Sequence, residues 1–377
     1  MSLQALEPAT EPQHPRKKPV IRRSAPDRSQ AIRRIAQWIF VALNAWIGIQ
    51  FYFWVRWFER GGAGWQVARP AGVEGWLPIA GLMNLKYFAV TGHVPPIHPA
   101  AMFLLIAFLL MSVLAKKAFC AWLCPVGTFS EYLWKFGRKV FGRNLRPPRW
   151  LDIPLRGLKY LLLGFFVYVI ASMSAEALAG FMLSPYGLIT DVKMLDFFRT
   201  LSVTGIIVLA VLGLLSMLIQ NFWCRYLCPY GALMGLVSLV SPLKIRRDPG
   251  ACIECGKCAR VCPSHFAVDK LVQIRSVECS ACMACIAACP VEHGLQFAAL
   301  PRKSASVVER WRGRIAGPRA VAAMLAVLFL GMVFAARATG HWRMHLPESV
   351  YMQLVPNASQ VGHPGMDGPG STMAGVH

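Results

Sequence analysis

Acid is what this chain is short of. Its 377 residues include 18 Asp and Glu against 40 Lys and Arg, a formal net charge of +22. It also has no isolated cysteine: the twelve fall into two clusters of four and two of two. Residues 1–30 lack the apolar stretch and small-residue cleavage site of a signal peptide. They are polar and rich in Pro, Arg and Lys, and residues 1–34 read as a basic, disordered cytoplasmic tail. No groove-reading motif occurs and the basic residues flank apolar runs, so nucleic acid is set aside as a partner. A disulfide scaffold would be short and signal-led, and this chain is neither. Clustered cysteines in a reducing compartment mean metal ligands or redox thiols.

What the chain has in quantity is apolar residues, 55% of the whole. Five segments read as membrane spans, each near the 20 or so residues a bilayer needs. They run roughly Ile35–Phe58, Pro99–Ala115, Leu158–Leu183, Leu201–Trp223 and Ala320–Thr339. Asn44 and Gln50 interrupt the first, and Trp76–Val90, rich in Pro and Gly, reads as an interfacial or re-entrant piece. Lys and Arg concentrate before the first span, after the second and fourth, and before the fifth. The positive-inside rule then puts the N-terminus inside, the C-terminus outside, and all four cysteine clusters on the cytoplasmic side. The expected fold class is an α-helical integral membrane protein of about five transmembrane helices, with an inserted α+β two-cluster ferredoxin domain. Expected boundaries are a membrane domain at 35–243, the ferredoxin domain at 244–300 and a basic linker at 301–319. The fifth helix follows at 320–340 and an extracytoplasmic tail at 341–377.

Cys252, Cys255, Cys258 and Cys262, followed by Pro263, have the C-x2-C-x2-C-x3-C-P spacing of bacterial ferredoxins. Cys279, Cys282, Cys285 and Cys289, followed by Pro290, repeat it. Three thiolates on a short loop can wrap three irons of a cubane, and the fourth ligand must come from elsewhere. In two-cluster domains the fourth cysteine of each run serves the other cluster. One 4Fe–4S cluster is therefore assigned to Cys252, Cys255, Cys258 and Cys289, the other to Cys279, Cys282, Cys285 and Cys262. Zinc also accepts four thiolates but does not call for this spacing twice over. Gly256, Ser280 and Ala281 suit close backbone approach to the inorganic sulphur.

A second repeat lies upstream. Cys120-Ala-Trp-Leu-Cys124-Pro-Val-Gly recurs as Cys224-Arg-Tyr-Leu-Cys228-Pro-Tyr-Gly, each at the end of an apolar segment. Ser184-Pro185-Tyr186-Gly187 echoes the turn without cysteines, as a duplicated two-span unit would. On a continuous helix, residues four apart share a face, so each pair would present both thiols together. If the repeats pack side by side, four thiols converge, able to bind copper, hold a further metal centre or cycle as a disulfide. The bland alternative is buried cysteine at a helix end.

Weaker candidates are Glu176 within the third apolar segment, for a proton or quinone role, and His93, His98, His341 and His345 at the outer face, as haem ligands or quinol contacts. The tail beyond Pro347 carries His363, Met366, Met373 and His377 and reads as disordered, with weak copper binding the sharper alternative.

Apolar spans ending in CxxxCP, followed by a two-cluster ferredoxin run, resemble the membrane polyferredoxin family of NapH, MauN, NosR and CcoG. The likeness covers roughly Gly72 to Leu300, and Arg69-Pro-Ala-Gly-Val-Glu-Gly-Trp-Leu-Pro78 also looks family-like. The resemblance implies quinol-linked electron delivery to periplasmic reductases or dehydrogenases, or copper reduction during oxidase maturation. With neither a large flavin-binding domain of the NosR type nor a long C-terminal immunoglobulin-like domain of the CcoG type, the chain is most similar to the shorter NapH-like branch. The expected protein is an electron-transfer subunit rather than a stand-alone enzyme, multi-pass in the bacterial inner membrane. It would pass electrons between the quinone pool or a cytoplasmic donor and a partner respiratory or periplasmic oxidoreductase. A cupric reductase or metal-centre maturation factor using the CxxxCP thiols is the alternative of a different class, and a scaffold with structural clusters a third.

Overall fold

The computed structural model describes residues 23, 27–299 and 315–364. Most of the expected basic tail, much of the linker, and Met366, Met373 and His377 lie outside the described residues.

The described chain is mostly helical. Helix α1 (Ser29–Glu59) is followed by a 3-10 turn (Ala71–Trp76), α2 (Pro78–Thr91) and α3 (Pro99–Ala115). Next come α4 (Ala118–Trp122), α5 (Pro125–Phe141), α6 (Arg149–Ser172), α7 (Ala175–Leu183) and α8 (Pro185–Leu188). Then α9 (Thr190–Arg199), α10 (Val203–Leu218), a π-helical turn (Trp223–Leu227) and α11 (Pro229–Val237) lead into the cysteine-rich lobe. That lobe holds strand β1 (Lys244–Arg247), α12 (Lys257–Arg260), α13 (Ala284–Ala287) and strand β2 (Leu295–Ala298). The chain closes with α14 (Pro318–Ala338) and α15 (Glu348–Leu354).

Among the described residues, three helices are long and apolar enough to cross a membrane: α1, α6 and α14. A fourth is reached if α9 and α10, bent by 83°, count as one broken span. The expected count of five is not confirmed, and the segments differ from the expectation in identifiable ways. Helix α3 forms over the segment expected, but its 17 residues rise only about 25 Å against a hydrocarbon core of about 30 Å. The segment Leu158–Leu183 breaks after Ser172, where Ser174 accepts a hydrogen bond from the Ala177 N–H and starts α7 as a separate helix. The segment Leu201–Trp223 stops being α-helical at Leu218. Trp76–Val90 is helical over Pro78–Thr91.

The spans carry apolar residues on faces with no protein partner. Ile35, Ile39 and Phe53 on α1, Leu161 and Phe165 on α6, and Val327 and Phe334 on α14 are all exposed. Single exposed apolar side chains need no explanation, but contiguous belts of them mark a surface that lipid covers. The inner faces pack. Phe108 of α3 stacks on Phe119 of α4 at 3.9 Å between ring centroids, and both lie in one core with Trp122, Met234 and Leu325. Helices α5 and α10 meet at Gly137, where a β-carbon would come within 2.0 Å of the Met217 carbonyl oxygen, so the crossing requires glycine.

The cysteine-rich lobe is small. Its strands pair antiparallel, Lys244 opposite Ala298 and Arg247 opposite Leu295, and bracket the two cysteine runs. It does not hang free: Ile245, Ile274, Ile286 and Phe297 belong to the same core as α3 and α4.

Candidate functional site

In the lobe, the fourth cysteine of each run crosses to the other. One small cavity is lined by Cys252, Cys255, Cys258 and Cys289. A second is lined by Cys262, Cys279, Cys282 and Cys285. The backbone repeats with the sequence. Glu254 and Gly256, two and four residues after Cys252, have φ of 55° and 65°; Ala281 and Met283, at the same offsets from Cys279, have 50° and 57°. Left-handed residues in such loops turn successive N–H groups toward one point, a nest for an anion. The Glu254 N–H reaches the Cys252 sulphur at 3.5 Å. These cradles fit an anionic iron–sulphur cluster. Among the described residues, no three Cys, His, Asp or Glu side chains stand close enough to share a single metal ion. A cubane does not need that, because each thiolate ends on its own iron.

The two cavities differ in position. The loop of the second is tied to the membrane helices: Trp122 Nε1 donates to the Ala281 carbonyl at 3.1 Å, Gln30 Nε2 to the Cys282 carbonyl at 3.0 Å and Lys116 Nζ to the Ser276 carbonyl at 2.9 Å.

The CxxxCP pairs take a different local form from the one expected. Cys120 and Cys124 do not share a helix face. Helix α4 ends at Trp122, and Cys124 is the N-cap of α5, with Pro125 as its first residue. Likewise Cys224 lies in the π-helical turn and Cys228 caps α11 before Pro229. Proline cannot donate the N–H an ongoing helix requires but suits the first helical position, so Cys-Pro ends one helix and opens the next. Cys228 Sγ accepts from the Gly231 N–H at 3.2 Å, and the N–H groups of Val126 and Gly127 face Cys124. The cysteine-free echo folds alike, Ser184 Oγ accepting from the Gly187 N–H at 3.1 Å. At Gly127 a β-carbon would come 2.2 Å from the Cys120 carbonyl oxygen, so only glycine lets that turn close.

The two pairs meet. Cys120, Cys124, Cys224 and Cys228 lie within electrostatic reach of one another, and the buried Lys117 ammonium faces Cys120, Cys224 and Cys228. All four cysteines are half-buried and free. Their open sides face two different spaces. Cys120 and Cys224 line a cleft of about 250 Å³, bordered by Arg33, Lys117, Glu131 and Glu278, that is also lined by Cys282 of the lobe. Cys124 and Cys228, with Tyr230, line an apolar cavity of about 490 Å³ that is also lined by Arg69 and Trp342. Burial pushes the Cys120 thiol up to about 11 and Cys124 to about 12, with Lys117 and the N–H groups opposing it only in part.

Two ion-pair groups, at Glu278 and Glu131, border this centre, and a third, at Arg69, lines the apolar cavity. Glu278, next to Cys279, accepts from the fully buried Lys159 Nζ at 2.6 and 2.7 Å and from the Tyr160 hydroxyl at 3.1 Å, with Lys117 Nζ at 3.8 Å. Burial works against the charge on Glu278, but Lys117 and Lys159 outweigh it and hold the carboxyl below its usual range. Glu131 of α5 receives both guanidinium arms of Arg33 at 2.6 Å. Arg69 bridges Glu74 at 2.9 Å and Asp191 at 2.6 Å. A usable signal existed for one of them: Lys159 is a charge inside an apolar run, which by itself marks a site.

The weaker candidates separate. Glu176 is exposed in the first turn of α7, beyond the break in the third apolar segment, so it is not an acid inside a span. His98 is buried, its Nε2 2.9 Å from the Gly187 carbonyl and its Nδ1 3.5 Å from Glu74, inside the Arg69 network. His93, His341 and His345 are exposed, and His363 packs on Tyr186. The structure does not gather these histidines into one site.

The profile of a family described as "4Fe-4S binding domain" matches twice, at residues 97–144 and 201–248. A profile described as "4Fe-4S dicluster domain" matches residues 244–291. YccM of Escherichia coli, named as a candidate electron transport protein, is 51% identical over 338 residues, covering 88% of this chain and 91% of YccM. The chain belongs to the membrane polyferredoxin-type family. More distant members include the ferredoxin-type protein NapH of Escherichia coli, 27% identical over 55% of this chain and 70% of NapH. The methylamine utilization ferredoxin-type protein MauN of Methylobacillus flagellatus is 27% identical over 42% of this chain and 53% of MauN. No solved structure matches. Like its relatives in this polyferredoxin-type family, the chain is a membrane protein of the iron–sulphur electron-transfer kind, with 4Fe–4S clusters as its cofactors.

Proposed function

We propose that this protein is a multi-pass electron carrier of the bacterial inner membrane, passing electrons between the quinone pool or a cytoplasmic donor and a partner respiratory or periplasmic oxidoreductase. It acts as a subunit rather than as an enzyme on its own. The observation that carries this is the apolar cavity of about 490 Å³ ending on Cys124, Cys228 and Tyr230. Its size falls in the range of small-molecule sites. Its walls include residues of the candidate spans α1 and α14, with α3 and the segment 68–78. A quinone accepts two electrons and two protons to become a quinol, and iron–sulphur clusters exchange electrons singly. One cluster is held by Cys252, Cys255, Cys258 and Cys289, the other by Cys262, Cys279, Cys282 and Cys285. The cluster-bearing lobe, in the region 244–300, lies on the cytoplasmic side with the N-terminus, and the C-terminus outside, as the distribution of Lys and Arg favours.

The test uses full-length protein in nanodiscs with its clusters reduced, mixed anaerobically with a short-chain quinone. Cluster reoxidation is followed by optical absorbance. Val333→Trp, which fills the cavity from α14, should slow reoxidation by about tenfold or more while leaving iron content unchanged. Equal rates would remove the cavity as the quinone site.

A further inference from the structure

We propose that Cys120, Cys124, Cys224 and Cys228 jointly hold a third iron–sulphur cluster, shared by the two CxxxCP modules and placed between the apolar cavity and the ferredoxin lobe. Its purpose rests on the electron-transfer function above; its ligands rest on the geometry alone.

The first argument is stoichiometric. Each segment matched as a 4Fe–4S binding domain contains two cysteines, Cys120 and Cys124 in one, Cys224 and Cys228 in the other. A four-iron cubane takes four thiolates, so neither module can hold one alone. The fold brings the two pairs together: Cys120 and Cys224 line one space, and Cys124 and Cys228 line the next. The twelve cysteines then divide into three quartets with none left over.

The second argument is position. Cys120 and Cys224 line the cleft and Cys124 and Cys228 line the apolar cavity, so each space is met by one sulphur from each module.

The third argument is electrostatic. Cys124 and Cys228 cap the N-termini of α5 and α11, 17 and 9 residues long. Backbone N–H groups of Val126, Gly127, Tyr230 and Gly231 face the two sulphurs. Helix N-termini favour negative charge, and the Lys117 ammonium adds a positive one beside three of the thiols. A lone buried cysteine asks for none of this. An anionic cluster taken out of water asks for all of it.

Placement supplies the role. Two ligands face the cavity and two face the cleft that Cys282 also lines. A cluster held here would exchange electrons one at a time with the cluster bound by Cys282, so each quinone–quinol conversion in the cavity would take two such transfers, with two protons gained or released at the quinone oxygens.

The experiment is iron and acid-labile sulphide analysis of the anaerobically purified full-length protein, with Mössbauer spectroscopy to assign iron to clusters. About twelve irons and twelve sulphides per chain are expected. Cys120→Ser with Cys224→Ser should fall to about eight, with the ferredoxin spectra unchanged. About eight irons in the wild type, or stoichiometric copper or zinc beside them, overturns the proposal, and this holds even if the double variant fails to fold. About twelve irons with no effect of Val333→Trp on quinone reoxidation leaves the third cluster standing and removes the quinone function instead.

Discussion

Glu278 is the post on which the cluster lobe is tied to the membrane helices. Its carboxylate meets Lys159 at 2.6 Å and Lys117 at 3.8 Å, and the three side chains are 11%, 0% and 7% exposed. Glu278→Gln keeps the shape and an acceptor oxygen but leaves two buried ammonium groups without a counter-charge. Breaking a buried pair by removing one partner typically costs about 3–5 kcal/mol. Coulomb's law gives a similar figure, about 4 kcal/mol for unit charges near 4 Å at an effective dielectric of about 20. The assay is chemical unfolding in detergent micelles, followed by tryptophan fluorescence. Glu278→Gln should lose about 3–5 kcal/mol, and adding Lys159→Met should recover at least about 1 kcal/mol of that, since an apolar replacement removes the stranded charge. A single variant within about 0.5 kcal/mol of wild type, or a double variant whose losses simply add, would refute the reasoning. The carboxyl is held below its ordinary range. Its contribution is therefore present above the unfolded-state pKa and is lost as pH falls through the lower folded-state value.

Other outcomes follow from the same structure. Burial opposes the charge on Glu131, but the Arg33 bond and charge, with Lys135, hold it at about 2. Its contribution, about 3 kcal/mol, should be complete above pH 4.5 and fade as pH drops to about 2, and Glu131→Gln should flatten that part of the unfolding profile; an unchanged profile counts against the pair. Cys289→Ser should damage the cluster of Cys252, Cys255 and Cys258, and EPR damage confined to the other cluster would exclude cross-ligation. A reporter active only outside the cytoplasm should work when fused after Pro347 and stay silent after Pro301. Equal activity at both sites would remove α14 as a crossing.

The two cysteine runs were legible in the sequence because their spacing repeats. In the fold Cys289 lines the cavity of the first run and Cys262 that of the second. The spans were legible as apolar runs but not in length. A composition window passes over Ser172–Ser174, where a serine cap starts a new helix. It likewise misses the 83° bend between α9 and α10. The repeat made the meeting of the two CxxxCP pairs legible, but their local geometry differs from the helical spacing. Helical spacing suggested one face, whereas Pro125 and Pro229 split each pair between the end of one helix and the cap of the next. Lys117, Glu278 and Glu131 stayed hidden because an ion pair joins residues far apart in the chain, and no local pattern announces the partner. Arg69 and Glu74 lay inside a segment noted for its likeness to the family, yet only the fold brings Asp191 to them.

The central claim is that this chain carries electrons on cysteine-bound clusters that communicate with one another. A potentiometric titration of the anaerobic wild-type protein, followed by low-temperature EPR, tests it most directly. Reversible one-electron reduction of the clusters is expected, with spectra broadened by coupling between neighbours once more than one is reduced. A protein that binds zinc in the cysteine runs, or shows no reversibly reducible centre, would contradict the account.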